Sequence, residues 1–163
     1  MDKLPKRKNI RLKDYDYSQA GYYFVTICTN GKKNLFWNVA VEATCGISHN
    51  IIPLSKIGKI VDLEINNINS IYKNVEIDKY VIMPNHIHMI IILCAEDGRS
   101  KTAPTISRII QQFKGSITKK VKQTVWQKSF YDRIIRNEKE YLQIYNYIET
   151  NPLKWEEDCY YVE

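Results

Sequence analysis

A chain of 163 residues, 44% hydrophobic and 26% charged, is long enough to bury one sizeable core and too short for two, so a single domain is expected. No apolar run reaches the length of a membrane span, and Met1 to Lys13 carry charges throughout in place of the apolar stretch of a signal peptide, so a cytoplasmic protein with no membrane partner is expected. The net charge of +6 is moderate, and its distribution says more than its size, because a clustered patch follows a phosphate backbone where scattered lysines do not.

Lys3 to Lys13 hold six basic residues and no acid, a basic tail that ends at about residue 14. Tyr22 to Cys28 (YYFVTIC) is β-branched and aromatic and precedes the turn-rich Thr29-Asn30-Gly31, which predicts a first strand. Residues 30 to 53 show no period and are expected to form a loop or hairpin insertion, with His49 a surface histidine. Ser55 then caps a predicted helix to about Tyr72, with Ile57, Ile60, Val61, Ile65 and Ile68 at spacings of three and four. Val75 to Met83 and His86 to Leu93 (HIHMIIIL) predict two antiparallel strands, the second central to its sheet. Ile106, Ile109, Ile110, Phe113 and Ile117 mark a second amphipathic helix, with an interruption expected near Gly115. A short strand over Tyr131 to Ile135 follows. Asn137, with Glu140 three residues on, caps a last helix that Asn151-Pro152 stops after Thr150.

The order β-α-β-β-α-β plus a helix predicts an α+β class: a ferredoxin-like split βαβ sandwich, an antiparallel sheet with helices on one face and the other face free. The cysteines Cys28, Cys45, Cys94 and Cys159 form no CxxC pair and are expected to be ordinary reduced thiols. Between Arg99 and Arg136 there are ten basic residues against one acid, Asp132, interleaved with Phe113, Trp126, Phe130 and Tyr131. That mixture suits a single strand of nucleic acid, which needs phosphate neutralisation and base stacking. Arg108, Lys114, Lys119, Lys120, Lys128, Arg133 and Arg136 are candidate phosphate contacts as a group, and Trp126 a candidate stacking residue.

His86 and His88, two apart on a predicted strand, project from one face, and two imidazoles so placed can hold one divalent ion. A hydrogen-bonded pair of core histidines fits the same spacing. A metal acting as a Lewis acid needs a further protein ligand, and on the last helix Tyr147 and Asn151 stand one turn apart, presenting a hydroxyl and an amide oxygen together. A tyrosine phenol beside a bound cation can attack a phosphodiester, leaving a phosphotyrosine and a free 3′ hydroxyl. Position alone does not single out Tyr147 among 12 tyrosines.

The segments Val81-Ile82-Met83-Pro84-Asn85-His86-Ile87-His88-Met89-Ile90, Trp126-Gln127, Arg136-Asn137-Glu138 and Tyr147-Ile148-Glu149-Thr150-Asn151-Pro152 together resemble the single-tyrosine HUH transposases, in particular the group related to REP-associated tyrosine transposases, over nearly the whole chain from Tyr22 to Trp155. The resemblance implies a ferredoxin-like fold, Mg²⁺ or Mn²⁺, and cleavage of single-stranded DNA beside a hairpin through a 5′-phosphotyrosine. It implies His86 and His88 as metal ligands, Tyr147 as nucleophile and Asn151 as the residue that completes the metal site, although relatives carry glutamine at that last position. Tyr141 and Tyr145 compete as nucleophiles but fall on the apolar stripe of the helix, and Tyr131 is a weaker competitor. Relatives include monomers and dimers, and both a single chain and a homodimer fit the sequence. Two alternatives remain open: a non-catalytic module that binds a DNA or RNA hairpin, and a metal phosphoesterase acting on a small substrate.

Overall fold

The alternation of β-branched and aromatic residues produces strands where the sequence places them. The computed structural model describes residues 16–38, 53–95 and 104–161. Within them lie β1 (Gly21–Cys28), α1 (Lys56–Ile71), β2 (Val75–Ile82), β3 (His86–Leu93), α2 (Ile106–Val121), β4 (Tyr131–Ile135) and α3 (Glu138–Thr150). The basic tail before residue 14, Cys45, His49, Arg99 and Lys101 lie outside the described residues.

The sheet order is β2-β3-β1-β4, with every neighbouring pair antiparallel. Strands β1 and β2 therefore run parallel with β3 between them, which is the split βαβ arrangement expected from the element order. The register pairs Thr26 with His88 and Cys28 with His86, so the histidines emerge at the end of the sheet where β1 finishes and β3 begins. On that face lie His86, His88, Ile90 and Ile92 of β3 with Tyr22, Phe24 and Thr26 of β1, while Ile87, Met89 and Ile91 point the other way, as the two-residue period of a strand requires.

Helices α1 and α2 cover the Met89 face. The Tyr80 hydroxyl, on that face of β2, donates to Asp62 of α1 at 2.7 Å, and Glu64 of α1 meets Ser116 and Lys120 of α2. Ser55 caps α1 by accepting from the Gly58 amide at 3.0 Å, and Thr105 caps α2 by accepting from the Arg108 amide. The expected break in α2 at Gly115 does not occur. A Cβ there would touch nothing within 4 Å, so this glycine sits on an open helix surface and the buried stripe of Ile109, Ile110, Phe113 and Ile117 holds the helix continuous across it.

The histidine face is not free, in contrast to the sequence expectation. Helix α3 lies over β2 and β3 on that side, with Tyr145 and Glu149 engaging Lys79, and Tyr141 meeting Tyr22 edge-on at 5.8 Å. The central strands β1 and β3 are consequently buried on both faces, which matches the near-continuous apolar run of β3. Asn137 caps α3 by accepting from the Glu140 amide at 2.9 Å. The reciprocal bond goes one residue further back, from the Arg136 amide to Glu140.

Candidate metal and nucleophile site

Strand β3, helix α3 and the segment that follows α3 converge at the histidine end of the sheet. His86 and His88 are fully or nearly fully buried, and their Nε2 atoms face each other at 3.0 Å. Each ring is held from behind: His86 Nδ1 lies 2.8 Å from Asn85 Oδ1, and His88 Nδ1 2.8 Å from Thr26 Oγ1. Phe24 stacks on the His88 ring at 5.3 Å. Such outer partners fix ring orientation and hold the two Nε2 atoms toward one point.

Helix α3 delivers the second component. The pairing of Tyr141 with Tyr22 at one end and of Lys79 with Glu149 further along lays the helix along β3, so its C-terminal turn arrives over the histidines. Tyr147 Oη comes within 3.2 Å of His88 Nε2, although the residue as a whole is 40% exposed. Phe24 meets the Tyr147 ring edge-on at 6.3 Å. Tyr141 and Tyr145, the competing nucleophiles, point elsewhere: the Tyr141 hydroxyl donates to Asp78 at 2.8 Å, and the Tyr145 ring lies under the Lys79 ammonium. The contact between Tyr147 and His88 is made within one chain.

The third component has no counterpart among the sequence expectations. After Thr150, Pro152 opens a 3-10 turn over Asn151–Glu157 that buries Trp155 against Trp37 and folds the chain back across the histidines. Asp158 is thereby brought into reach of both imidazoles; ligand atoms of His86, His88 and Asp158 all lie within 4.8 Å of one another. Asp158 Oδ2 accepts from Asn151 Nδ2 at 3.0 Å and from the Tyr147 hydroxyl at 3.3 Å. The Tyr160 ring closes over His86 at 4.6 Å. The sequence signal for Asp158 is only one acid among three consecutive acids, with no spacing to tie it to the histidines.

The electrostatics follow from this burial. The His86 pKa is pushed down from 6.5 to about 3, by burial first and by the Lys32 charge second; His88 falls to about 3 through burial and then its neighbour His86, with Asp158 pulling the other way. Both rings are neutral at pH 7 and able to act as ligands. The Tyr147 phenol is held well above its ordinary pKa, by burial and then by the Asp158 charge, so the hydroxyl keeps its proton in this arrangement.

A divalent metal fits the donor set. Two neutral imidazole nitrogens and a carboxylate converge, and Asn151, 3% exposed, has an Oδ1 that finds no hydrogen-bond partner. A buried acceptor left unpaired is costly unless a further group meets it, and an amide oxygen suits Mg²⁺ or Mn²⁺. His86, His88 and Asn151 are thus brought to one place with Tyr147, as the sequence suggests, and Asp158 joins them.

The candidate DNA contacts divide. Arg108, Lys119, Lys128 and Arg136 are exposed, and Arg136 lines an open cleft with Tyr22, Asp78 and Tyr141 on the same sheet face as the histidines. Lys120 is paired to Glu64, and Arg133 to Glu140 at 2.5 Å. Lys114 is committed inward: its Nζ donates to the carbonyls of Gln127 and Ser129, both at 2.9 Å, and burial lowers its pKa to about 8. Trp126, one candidate for stacking a base and equally open to a packing role, is 7% exposed and wedged between Phe36 and Phe113, so its ring offers no open face to a base.

No family model matches the chain. An uncharacterized protein of Haemophilus influenzae is 36% identical over an alignment of 177 residues that spans 96% of this chain and 94% of that protein. Among solved structures, a REP-associated tyrosine transposase bound to a REP hairpin superposes with a TM-score of 0.60 at 22% identity, covering 89% of this chain and 74% of that one. No helix among the described residues is long and apolar enough to cross a membrane.

Proposed function

We propose that this chain, which belongs to one family with the Haemophilus influenzae protein and shares the fold of a REP-associated tyrosine transposase, is a metal-dependent nuclease and strand transferase for single-stranded DNA that works through one tyrosine. Tyr147 is the nucleophile, and His86, His88 and Asn151, joined by Asp158, hold Mg²⁺ or Mn²⁺. The observation that carries this reading is the position of Tyr147 Oη, 3.2 Å from an imidazole nitrogen that itself faces a second imidazole at 3.0 Å. Of the tyrosines on α3, Tyr147 has this contact, while Tyr141 and Tyr145 are engaged with Asp78 and Lys79.

In the reaction, Tyr147 Oη attacks the scissile phosphorus, the bond to the 3′ oxygen breaks, and the phenolic proton is balanced by protonation of the departing oxygen. The products are a 5′-phosphotyrosine and a 3′ hydroxyl, whose reversal rejoins the strand without an external energy source. When bound, the metal ion supplies positive charge that polarises the phosphoryl oxygen and offsets the charge developing on the phenol. His86 and His88 serve in their neutral form, which their burial maintains at physiological pH. Tyr147, set on a helix and braced by Phe24, is held in one orientation for attack.

The substrate is single-stranded DNA carrying a hairpin. Support comes from the exposed cations Arg108, Lys119, Lys128 and Arg136, which suit a phosphate backbone better than a metabolite, and from the fold shared with a protein whose structure holds a REP hairpin. The test is incubation of the wild type and Tyr147→Phe with labelled hairpin DNAs from the flanks of the gene, with and without Mn²⁺. A metal-dependent protein–DNA band on a denaturing gel that is lost in the variant is the expected result. Tight hairpin binding with no covalent band from either protein, across several flanking sequences, sinks the proposal in favour of a non-catalytic binding module.

A further inference from the structure

The two histidines are backed by unlike partners, and the difference fixes the ring proton of one and leaves that of the other movable. Asn85 is 1% exposed, and its Nδ2 donates to two backbone carbonyls, Tyr160 O at 2.8 Å and Lys32 O at 3.3 Å. A carbonyl oxygen only accepts, so both demand the amide nitrogen and leave Oδ1 as the atom turned to His86. That oxygen also only accepts. His86 Nδ1, 2.8 Å away, must therefore carry the proton, and His86 Nε2 a bare lone pair.

Thr26 imposes no such choice on His88, because a hydroxyl rotates to donate or accept. With His86 Nε2 bare and 3.0 Å distant, the metal-free protein is satisfied when Thr26 donates to His88 Nδ1 and His88 Nε2–H donates to His86. Rotation of the Thr26 hydroxyl permits the opposite tautomer, in which both Nε2 lone pairs point into the site.

We infer that Asn85 is a positioning residue that locks His86 as its Nδ1–H tautomer and so keeps one lone pair permanently presented to the metal site, while Thr26 leaves His88 convertible between tautomers. The inference rests on the metal-site reading above. It concerns the ring protons of the chain itself, however, and is decided without DNA cleavage. Asn85 also ties the returning segment at Tyr160 and the turn at Lys32 to the back of the same ring, so one buried amide aligns three stretches of chain with the ligand.

The test is long-range ¹H–¹⁵N spectroscopy of the metal-free protein together with Mn²⁺ titration of wild type, Asn85→Leu and Thr26→Val. In the wild type, His86 is expected as the Nδ1–H tautomer alone and His88 as Nε2–H. Asn85→Leu, which removes the acceptor at similar volume, should populate both tautomers of His86 and weaken Mn²⁺ binding about 10- to 100-fold, the usual range for loss of a group that orients a ligand. Thr26→Val should leave the His86 tautomer unchanged. A wild-type His86 that carries its proton on Nε2, or an Asn85→Leu variant that keeps both the single tautomer and the wild-type Mn²⁺ affinity, overturns the inference. The wild-type spectrum tests the tautomer directly even where a variant fails to fold. Neither readout requires Tyr147 to act as a nucleophile, so failure here and failure of the nuclease reading are separately visible.

Discussion

Lowering the pH from about 8 to about 5 in the presence of a chelator should cost the metal-free protein about 4 kcal/mol of stability. Both histidines have folded-state pKa values pushed down from 6.5 to about 3, which means that the fold favours their neutral forms. Stability from such groups is fully present above the unfolded value and drains away as the pH falls toward the folded one, here from 6.5 down to about 3. At pH 5 the unfolded chain binds a proton at each position and the folded chain does not. The difference of one and a half pH units is worth about 2 kcal/mol per histidine, whatever the folded value, so long as it lies well below 5.

The carboxylates Asp16, Glu64 and Glu140 are depressed as well, Asp16 and Glu140 by hydrogen bonds and Glu64 by Lys120 and Ser116 against an opposing burial cost. Their ordinary values are 3.8 to 4.5, so their losses fall mainly below pH 5; the window above it belongs mainly to the imidazoles, with Lys114, lowered to about 8, adding only the tail of its own titration. Urea unfolding followed by tryptophan fluorescence, with the wild type and His86→Gln/His88→Gln compared at both pH values, measures the effect. A loss near half the expected size means that the facing nitrogens take up one shared proton. A wild-type loss no larger than that of the double variant means that the buried imidazoles do not carry the pH dependence.

Two further outcomes separate structural from functional side chains. Lys114→Met should destabilise the protein by about 1–2 kcal/mol, because the carbonyls of Gln127 and Ser129 lose a half-buried charged donor, while the salt dependence of DNA binding stays unchanged. Lys119→Ala and Lys128→Ala, both at exposed positions, should leave stability alone and flatten the slope of log affinity against log salt by about 0.7 for each phosphate no longer neutralised, measured by fluorescence anisotropy on a hairpin oligonucleotide. Gly58→Ala should destabilise by about 2–4 kcal/mol in the same urea assay. A Cβ there would stand 2.2 Å from the Phe36 carbonyl oxygen, so the first turn of α1 and the segment that it packs on would have to part.

Local chemistry was legible in the sequence wherever one stretch of chain carries its own signal. Strand β3 runs from His86 to Leu93 as HIHMIIIL implies, and Ser55 and Asn137 cap the helices that follow them, because strand alternation and capping bonds act within a few residues. The facing histidines, and Tyr147 and Asn151 one turn apart on a helix, follow from the same short-range periods. The order of elements, the sheet they form and the two chemical pairs they carry are therefore written in the chain itself. How those pairs meet is a matter of long-range packing: α3 lies back on the sheet, the 3-10 turn after Thr150 returns Asp158 and Tyr160 to the histidines, and Asn85 reaches across 75 residues to the Tyr160 carbonyl. Packing also assigns Trp126 to the core and Lys114 to backbone carbonyls, roles that depend on which surfaces close against each other. Burial sets the protonation of a ring or an ammonium, and burial is a property of the packed chain rather than of any one segment.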